Sequence, residues 1–156
     1  MPSKPPSAKR RRPTHPTPKP KVIKPSANRT AVAPQEVSLK PMKGSPSRGG
    51  GPGGRAWRID VGGKRAGVVF INFMDELPIG PHPSIQIYLN APSQGRKIGR
   101  IGYRMACEAS AYNAVYAHMS KSNVASWRAA EEAGFVDATP AGAIQKVMIW
   151  RRATAD

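Results

Sequence analysis

The sequence predicts an α/β domain, built on a mixed and mostly antiparallel sheet with two main helices, that follows a long basic tail. Two observations lead to this prediction. All ten aromatic residues lie between Trp57 and Trp150, so the core has to come from the carboxy-terminal part of the chain. Within that part, β-prone runs alternate with two stretches whose apolar residues recur at helical spacing, which is typical of a layered α/β design.

The first 55 residues differ sharply from the rest in composition. They contain 13 of the 25 lysines and arginines, a single acid at Glu36 and 12 of the 17 prolines, which gives them +12 of the net charge of +16. A segment this polar cannot offset the entropy of ordering its chain. We therefore predict a disordered tail and glycine-rich linker over residues 1–55, and one folded domain over residues 56–153.

Local patterns predict the elements of the folded part. Residues 57–61 and 67–74 form a hairpin around a turn at Gly62 and Gly63, since glycine adopts positive φ freely. Three prolines between residues 75 and 84 predict a loop. The remaining elements are a strand at 85–90, a helix at 98–111, a strand at 114–119, a helix at 124–133 that ends at Gly134, a short strand at 135–136 and a last strand at 144–150.

Composition also limits the classes of protein that fit. The single cysteine, Cys107, excludes a disulfide within the chain and suits a reducing, cytoplasmic location. The sequence has no run of 18 apolar residues, so we expect no membrane span. The histidines and the cysteine do not have metal-ligand spacing, so we expect no bound metal.

The charge of the tail allows two interpretations. Clustered lysines and arginines favour polyanions, so residues 1–55 are a candidate contact for nucleic acid or the ribosome. A solvated arm that only keeps the protein soluble explains the same composition equally well.

A strand, a basic loop with glycine, and a helix follow one another at residues 85–111. The start of an α-helix presents unpaired backbone N–H groups and the positive end of the helix dipole. Glycine allows a phosphate to approach that backbone closely. Residues 94–100, Gln-Gly-Arg-Lys-Ile-Gly-Arg, are therefore suited to a diphosphate, although ordinary turn chemistry explains such a loop more often.

A second segment makes the pattern specific. QGRKIG at residues 94–99 resembles the (Gln/Arg)-x-x-Gly-x-(Gly/Ala) diphosphate loop of the GNAT superfamily of acetyltransferases. NVASWRAAEEAGF at residues 123–135 resembles the motif that follows it, in the Asn-x-x-Ser form of the branch that acetylates ribosomal-protein amino termini. The strands before and after these motifs also lie where that family has strands, so the resemblance extends over the whole predicted domain.

This resemblance implies an N-acetyltransferase that transfers an acetyl group from acetyl-CoA to a primary amine by direct attack. It assigns the acetyl-CoA contacts to Ile87, Tyr88, Leu89, Gln94, Gly95, Arg96, Lys97, Ile98, Gly99, Arg100 and Asn123. It also implies that the Leu89 amide polarises the thioester carbonyl and that Ser126 protonates the leaving thiolate. His118, Glu76 and His82 are candidates for the base that deprotonates the amine.

Three of these assignments have a structural alternative. Asn123 is equally suited to cap the helix that follows it. Ser126 is suited to satisfy backbone groups in the first helical turn. His118, on a strand, is suited to an ordinary structural role.

The chain departs from the family pattern at several points. Lys97 stands where glycine is usual, Ala130 where a tyrosine acid is frequent, and Gln86 and Asn90 where a carboxylate base often lies. The family's first two helices have no counterpart in the predicted elements, which implies an open acceptor face. Such a face fits a protein acceptor, a lysine or an amino terminus. The alternative is a catalytically weak protein of the same fold that its basic tail directs to nucleic acid or the ribosome.

Overall fold

The computed structural model describes residue 3 and residues 29–154, and the rest of the predicted tail lies outside the described residues. The strands are β1 (Val37–Met42), β2 (Arg55–Val61), β3 (Lys64–Glu76), β4 (Gly80–Leu89), β5 (Ala114–Ser120), β6 (Val136–Asp137) and β7 (Gln145–Arg151), and the helices are α1 (Ile98–Ala109) and α2 (Val124–Glu132). The strands form one sheet in the order β1-β2-β3-β4-β5-β7-β6. All neighbours are antiparallel except β4 and β5, so the predicted mixed, mostly antiparallel sheet is confirmed.

The core lies between one face of the sheet and the two helices. Trp57, Val69 and Ile85 from neighbouring strands are at most 2% exposed, and Ile98 of α1 packs on them with no exposed surface. Cys107 is buried in the same cluster, where burial raises the pKa of its thiol to about 12. A thiol that stays protonated is unreactive, so Cys107 is a core residue.

The opposite face of the sheet is only partly covered, although Asp60, Phe70 and His82 on it are at most 3% exposed. Both helices pack on the core side, and the segment at 43–54 between β1 and β2 covers only part of the other side. Asn72 fixes this segment, because its side chain accepts a hydrogen bond from the Gly49 amide at 2.7 Å and donates one to the Ser47 carbonyl at 2.8 Å. Met42 and Tyr88 on this face remain 41% and 52% exposed.

The prediction that residues 1–55 are disordered is wrong for the described residues 29–55. Val37 to Met42 pair along their whole length with β2, and Val32 and Val37 are buried in the core. The Lys40 ammonium lies 3.1 Å from the carboxylate of Asp60, which has no exposed side-chain surface. The composition of the segment concealed this strand, because the strand depends on pairing with β2 and on packing against α1, which composition does not show.

The predicted proline loop at 75–84 is wrong in most of its length. β3 continues to Glu76 and β4 already begins at Gly80, with Pro81 opposite Asp75 and Pro83 opposite Phe73. Prolines two residues apart remove hydrogen-bond donors from only one edge of a strand, so the intervening residues still pair. Only the turn at 77–79 remains of the predicted loop.

No helix in residues 29–154 is long and apolar enough to cross a membrane.

Burial of Val32 provides a direct test of the corrected domain boundary. We expect Val32→Ala to lower the free energy of unfolding by about 1–3 kcal/mol, because two methyl groups leave a filled core. Denaturant titration measures this value. The exposed β1 residue Ser38 gives a matched control, and Ser38→Ala should change it by less than about 0.5 kcal/mol. Equal, negligible effects at both positions would contradict the boundary.

Candidate active site

The two parallel strands in the middle of the sheet part from each other. β4 and β5 share a single register pair, Ser84 with Tyr116. On the far side of that pair, the edge of β4 at residues 87–89 has no strand partner on the β5 side. Backbone N–H and C=O groups are obligatory hydrogen-bonding groups, so this edge is available to a ligand with amide-like groups.

An open groove of about 650 Å³ begins at this edge and reaches both helices. It is lined by Ile87, Tyr88, Leu89, Gln94, Gly95, Lys97, Ile98, Gly99, Arg100, Tyr103, Asn123, Ala125, Ser126, Arg128, Ala129 and Glu132. The structure therefore brings together all the predicted cofactor contacts except Arg96, along with two of the three predicted catalytic residues. Arg96 does not line the groove, and its Nε donates to the Thr30 carbonyl at 3.2 Å.

The end of the groove at α1 has free backbone donors. Lys97 is the N-cap residue of α1 and makes no side-chain capping bond, which leaves the first helical amides without partners in the helix. Within residues 29–154, no acceptor receives a hydrogen bond from the amides of Gly95 or Lys97. Several N–H groups and the positive end of the helix dipole thus face the groove, an arrangement that binds anions.

The other end of α1 is closed in contrast. The Arg152 guanidinium donates to the carbonyls of Cys107, Glu108, Ser110 and Tyr112 at 2.8–3.3 Å. Cys107 and Glu108 lie in the last turn of α1, so this cation bonds to two carbonyls at the end of the helix, as the helix dipole favours. Only the amide end is left open, which points to that end as the ligand-binding one.

Basic side chains surround the open amides. Lys97, Arg100 and Arg128 line the groove together with one acid, Glu132. Glu132 is shared between Lys97 at 3.2 Å and Arg100 at 3.7 Å. These partly exposed pairs contribute little to stability, so the cations can exchange their acid partner for a bound phosphate.

Lys97 itself has an unusual backbone conformation. Its φ of 59° and ψ of 25° lie in the left-handed region, which explains why the family has glycine at this position. The lysine therefore carries a conformational cost that glycine would not have, and it also lines the groove.

A half-buried hydroxyl pair connects the two helices at the wall of the groove. Tyr103 of α1 and Ser126 of α2 lie 3.0 Å apart, oxygen to oxygen, and Tyr103 is 3% exposed. Burial raises the pKa of the Tyr103 phenol, so it stays protonated at neutral pH. Asn123 accepts a hydrogen bond from the Ser126 amide at 3.3 Å, so the helix-cap alternative for Asn123 is confirmed, although it also lines the groove.

Sequence reasoning missed Tyr103, although the pattern contained a signal. A Cβ at Gly99 would lie 3.3 Å from the Ala129 side chain, so Gly99 faces α2. Tyr103 is four residues further along α1 and therefore lies on the same helical face.

The third predicted catalytic residue, His118, lies outside the groove. Val115, Ala117 and Met119 of β5 point into the core, so His118 points to the opposite face. There it lines a second cavity of about 590 Å³. That cavity is formed by Glu76, Leu77, Pro78, Ile79, His118, Pro140, Ala143, Ile144, Gln145 and Val147.

A hydrogen-bond chain determines the tautomers of two histidines beside this second cavity. His82 Nδ1 lies 2.6 Å from the Gly80 carbonyl and so carries a proton, which makes Nε2 of the neutral ring an acceptor. His118 Nε2 lies 2.8 Å from His82 Nε2 and must donate to it. His118 Nδ1 is then left as a proton acceptor. Burial is the main cause that lowers the pKa of His118, and the neighbouring His82 lowers it further. The negative charge of Glu76 has the opposite effect but does not outweigh them.

No group of three potential metal-ligating side chains occurs among the residues that the structure describes.

The conformation of Lys97 generates a prediction. We expect Lys97→Gly to leave the free energy of unfolding unchanged or to raise it by up to about 1 kcal/mol, because glycine adopts the left-handed conformation without penalty. Lys97→Val should lower it by more than about 1 kcal/mol, since a β-branched residue is strained there. Denaturant titration of both variants measures the difference, and a glycine variant less stable than the valine variant would contradict it.

Comparison with known proteins identifies the fold. Neither a protein-family model nor a curated protein matches the sequence. A GNAT-family acetyltransferase from Streptococcus agalactiae matches with a TM-score of 0.55 and 11% identity over 64% of this chain and 66% of its own. An aminoglycoside acetyltransferase in complex with coenzyme A matches with a TM-score of 0.55 and 17% identity, over 69% of each chain. A spermidine N-acetyltransferase from Vibrio cholerae matches with a TM-score of 0.52 and 20% identity, over 65% of this chain and 66% of its own. The described chain therefore has the GNAT fold and spans about two-thirds of each of these proteins.

Proposed function

We propose that the protein is an N-acetyltransferase that moves the acetyl group of acetyl-CoA onto a primary amine. The observation that carries the proposal is the groove. It extends from an unpaired strand edge at residues 87–89 to the uncapped start of α1, within a GNAT fold. These two features match the two parts of acetyl-CoA that need backbone donors, which are the pantetheine thioester arm and the diphosphate.

The residues of the groove fit this co-substrate chemically. The amides of Gly95 and Lys97 and the first turn of α1 hold the diphosphate, with Lys97 and Arg100 supplying positive charge. The open edge of β4 pairs with the amides of the pantetheine arm, as an added strand would. At the end of that edge, the Leu89 amide stabilises the oxyanion that develops on the thioester carbonyl.

Ser126 provides the proton for the leaving group, and Tyr103 supports it. As the amine nitrogen bonds to the carbonyl carbon and the carbon–sulfur bond breaks, the Ser126 hydroxyl donates its proton to the thiolate. Tyr103, 3.0 Å away, keeps its proton and stabilises the Ser126 oxygen by a hydrogen bond, until Ser126 regains a proton from solvent as CoA leaves. This pair takes the role of the tyrosine that is frequent in the family at the position of Ala130, which is fully buried here.

His118 is the proposed base. It accepts the proton that the amine loses, at Nδ1, while its Nε2–H remains bonded to His82. Its lowered pKa keeps it neutral at pH 7, the form that a base requires. The second cavity beside His118, with Glu76 at its edge, is then the path for the amine.

We propose a protein amine as the acceptor. The exposed part of the sheet face opposite the helices supports this proposal, since Met42 and Tyr88 expose apolar surface there. Acetyltransferases of spermidine and aminoglycosides have the same fold, so a small polyamine is the competing acceptor. The basic residues of 1–55 are the proposed contact for an acceptor bound to nucleic acid or the ribosome.

Binding and transfer are tested together. Calorimetric titration of the full-length protein with acetyl-CoA should give a dissociation constant below about 1 mM, and Arg100→Glu should weaken it at least tenfold, roughly 1.4 kcal/mol. Lys64→Glu makes the same charge change on an exposed hairpin and should leave binding unchanged. Ser126→Ala should bind normally and release CoA about tenfold to a thousandfold more slowly.

A separate labelling experiment identifies the acceptor. Mass spectrometry of lysate proteins treated with labelled acetyl-CoA should find acetylated lysines or amino termini. Labelling confined to polyamines or aminoglycosides would overturn the protein acceptor and leave acetyl transfer intact. Failure of the wild-type protein to bind acetyl-CoA at millimolar concentration would overturn the proposed function.

The pH dependence tests His118 separately. The ordinary pKa of a histidine is 6.5, and the pKa of His118 is lower than this. His118 therefore stays neutral, and able to act as a base, until the pH falls below its own lowered pKa. Below that value, the slope of log(kcat/KM) against pH should steepen from about one, set by the amine alone, to about two. His118→Gln should lose the extra slope and about a hundredfold in rate. A steepening retained in His118→Gln would assign it to another group near His118, where His82 and Glu76 lie.

A further inference from the structure

The start of the described chain packs against the loop that forms the anion end of the groove. Residues 29–32, here called the strap, run along the outside of residues 91–96. The Arg29 guanidinium donates to the carbonyls of Ala91, at 3.1 Å, and Gln94. The Val32 amide donates to the Arg96 carbonyl at 3.0 Å, and Val32 is 2% exposed. None of this was expected from the composition of the segment.

The strap determines the direction of two peptide groups. In a planar trans peptide the C=O and N–H groups point in opposite directions. Because the Gln94 carbonyl points toward Arg29, the Gly95 N–H points away from the strap. Because the Arg96 carbonyl points toward Val32, the Lys97 N–H also points away from it.

These two amides are the ones that face the ligand. Gly95 and Lys97 line the groove, whereas Arg29, Val32 and Arg96 do not. Both residues have positive φ, 74° for Gly95 and 59° for Lys97, so the loop needs outside contacts to hold this conformation. Gly95 also lies directly under the strap, because a Cβ placed on it would be 3.4 Å from Arg29 Cδ.

We propose that Arg29 is a positioning residue for diphosphate binding, which acts by turning the Gly95 amide into the groove, beside the Lys97 amide that Val32 orients. This inference rests on the proposed function and goes beyond it, because it assigns a role in the site to the amino-terminal basic segment. Arg29 does not touch the ligand. It pre-forms the donors, so that ordering the loop costs no binding energy when the diphosphate arrives.

Two ligands separate positioning from general stabilisation. CoA carries the diphosphate, whereas S-acetylpantetheine ends before it and contacts only the β4 edge. Chemical-shift titration of the full-length protein measures the millimolar and tighter affinities of both. Arg29→Met keeps most of the aliphatic stem and removes the donors. It should weaken CoA binding about tenfold, as loss of two charge-assisted hydrogen bonds implies, and leave S-acetylpantetheine binding within about twofold.

Arg29→Lys provides the matched control, because lysine keeps the charge and can donate to the same carbonyls. It should recover most of the CoA affinity. Unchanged CoA affinity in Arg29→Met would overturn the proposal. An equal loss for both ligands, with a lower melting temperature, would overturn it in favour of a structural brace. If wild-type protein binds S-acetylpantetheine but not CoA, the strap has no diphosphate to position and the proposal fails. If it binds neither ligand, the proposed function itself fails.

Discussion

The parting of β4 and β5 is the constraint on which the candidate site depends. These are the only parallel neighbours in the described sheet, and they meet at one register pair, Ser84 with Tyr116. A parallel pair requires a crossover connection, and here that connection contains α1. The chain therefore leaves the open edge of β4, turns through the basic loop and enters α1 directly beside the gap. Strand edge and helix start become the two ends of one groove because of this topology.

The electrostatics of α1 follow from the same arrangement. Arg152 donates hydrogen bonds to two carbonyls in the last turn of the helix, while the amide end begins at Lys97 without a side-chain cap. An uncapped helix start costs stability, and so does a lysine in the left-handed conformation. The fold tolerates both costs at one point, beside Arg100 and the parted strands, and local strain of this kind is typical of binding sites.

Most of the fold was predictable from local pattern. The hairpin, both helices and the strands of the carboxy-terminal half have periodicity or turn signals that depend on neighbouring residues alone. The prediction failed at β1 and at the first half of β4, where Pro41, Pro81 and Pro83 suggested irregular chain. Both segments are strands because the adjacent strand in sequence pairs with them, β2 with β1 and β3 with the first half of β4. Residue preferences mark proline as a break and do not register this pairing.

The candidate site also has a part that was predictable from local sequence and a part that was not. The glycine-containing loop and the Asn-x-x-Ser segment carry short-range motifs, and ten of the eleven predicted ligand contacts line the groove. Arg96, Tyr103 and the pairing of His82 with His118 depend on how separate elements meet. The direction of the Arg96 side chain is set by residues 29–32, and the tautomer of His118 is set by a carbonyl two contacts away at Gly80.

The central claim is that free amides at the start of α1 and along the edge of β4 bind one ligand. The most direct measurement is the change of backbone amide chemical shifts when CoA is added to isotope-labelled protein. The account predicts shifts concentrated at residues 87–89 and 95–100, with the hairpin at residues 61–64 unchanged. Shifts confined to other parts of the sheet, or no shifts at millimolar CoA, would contradict it.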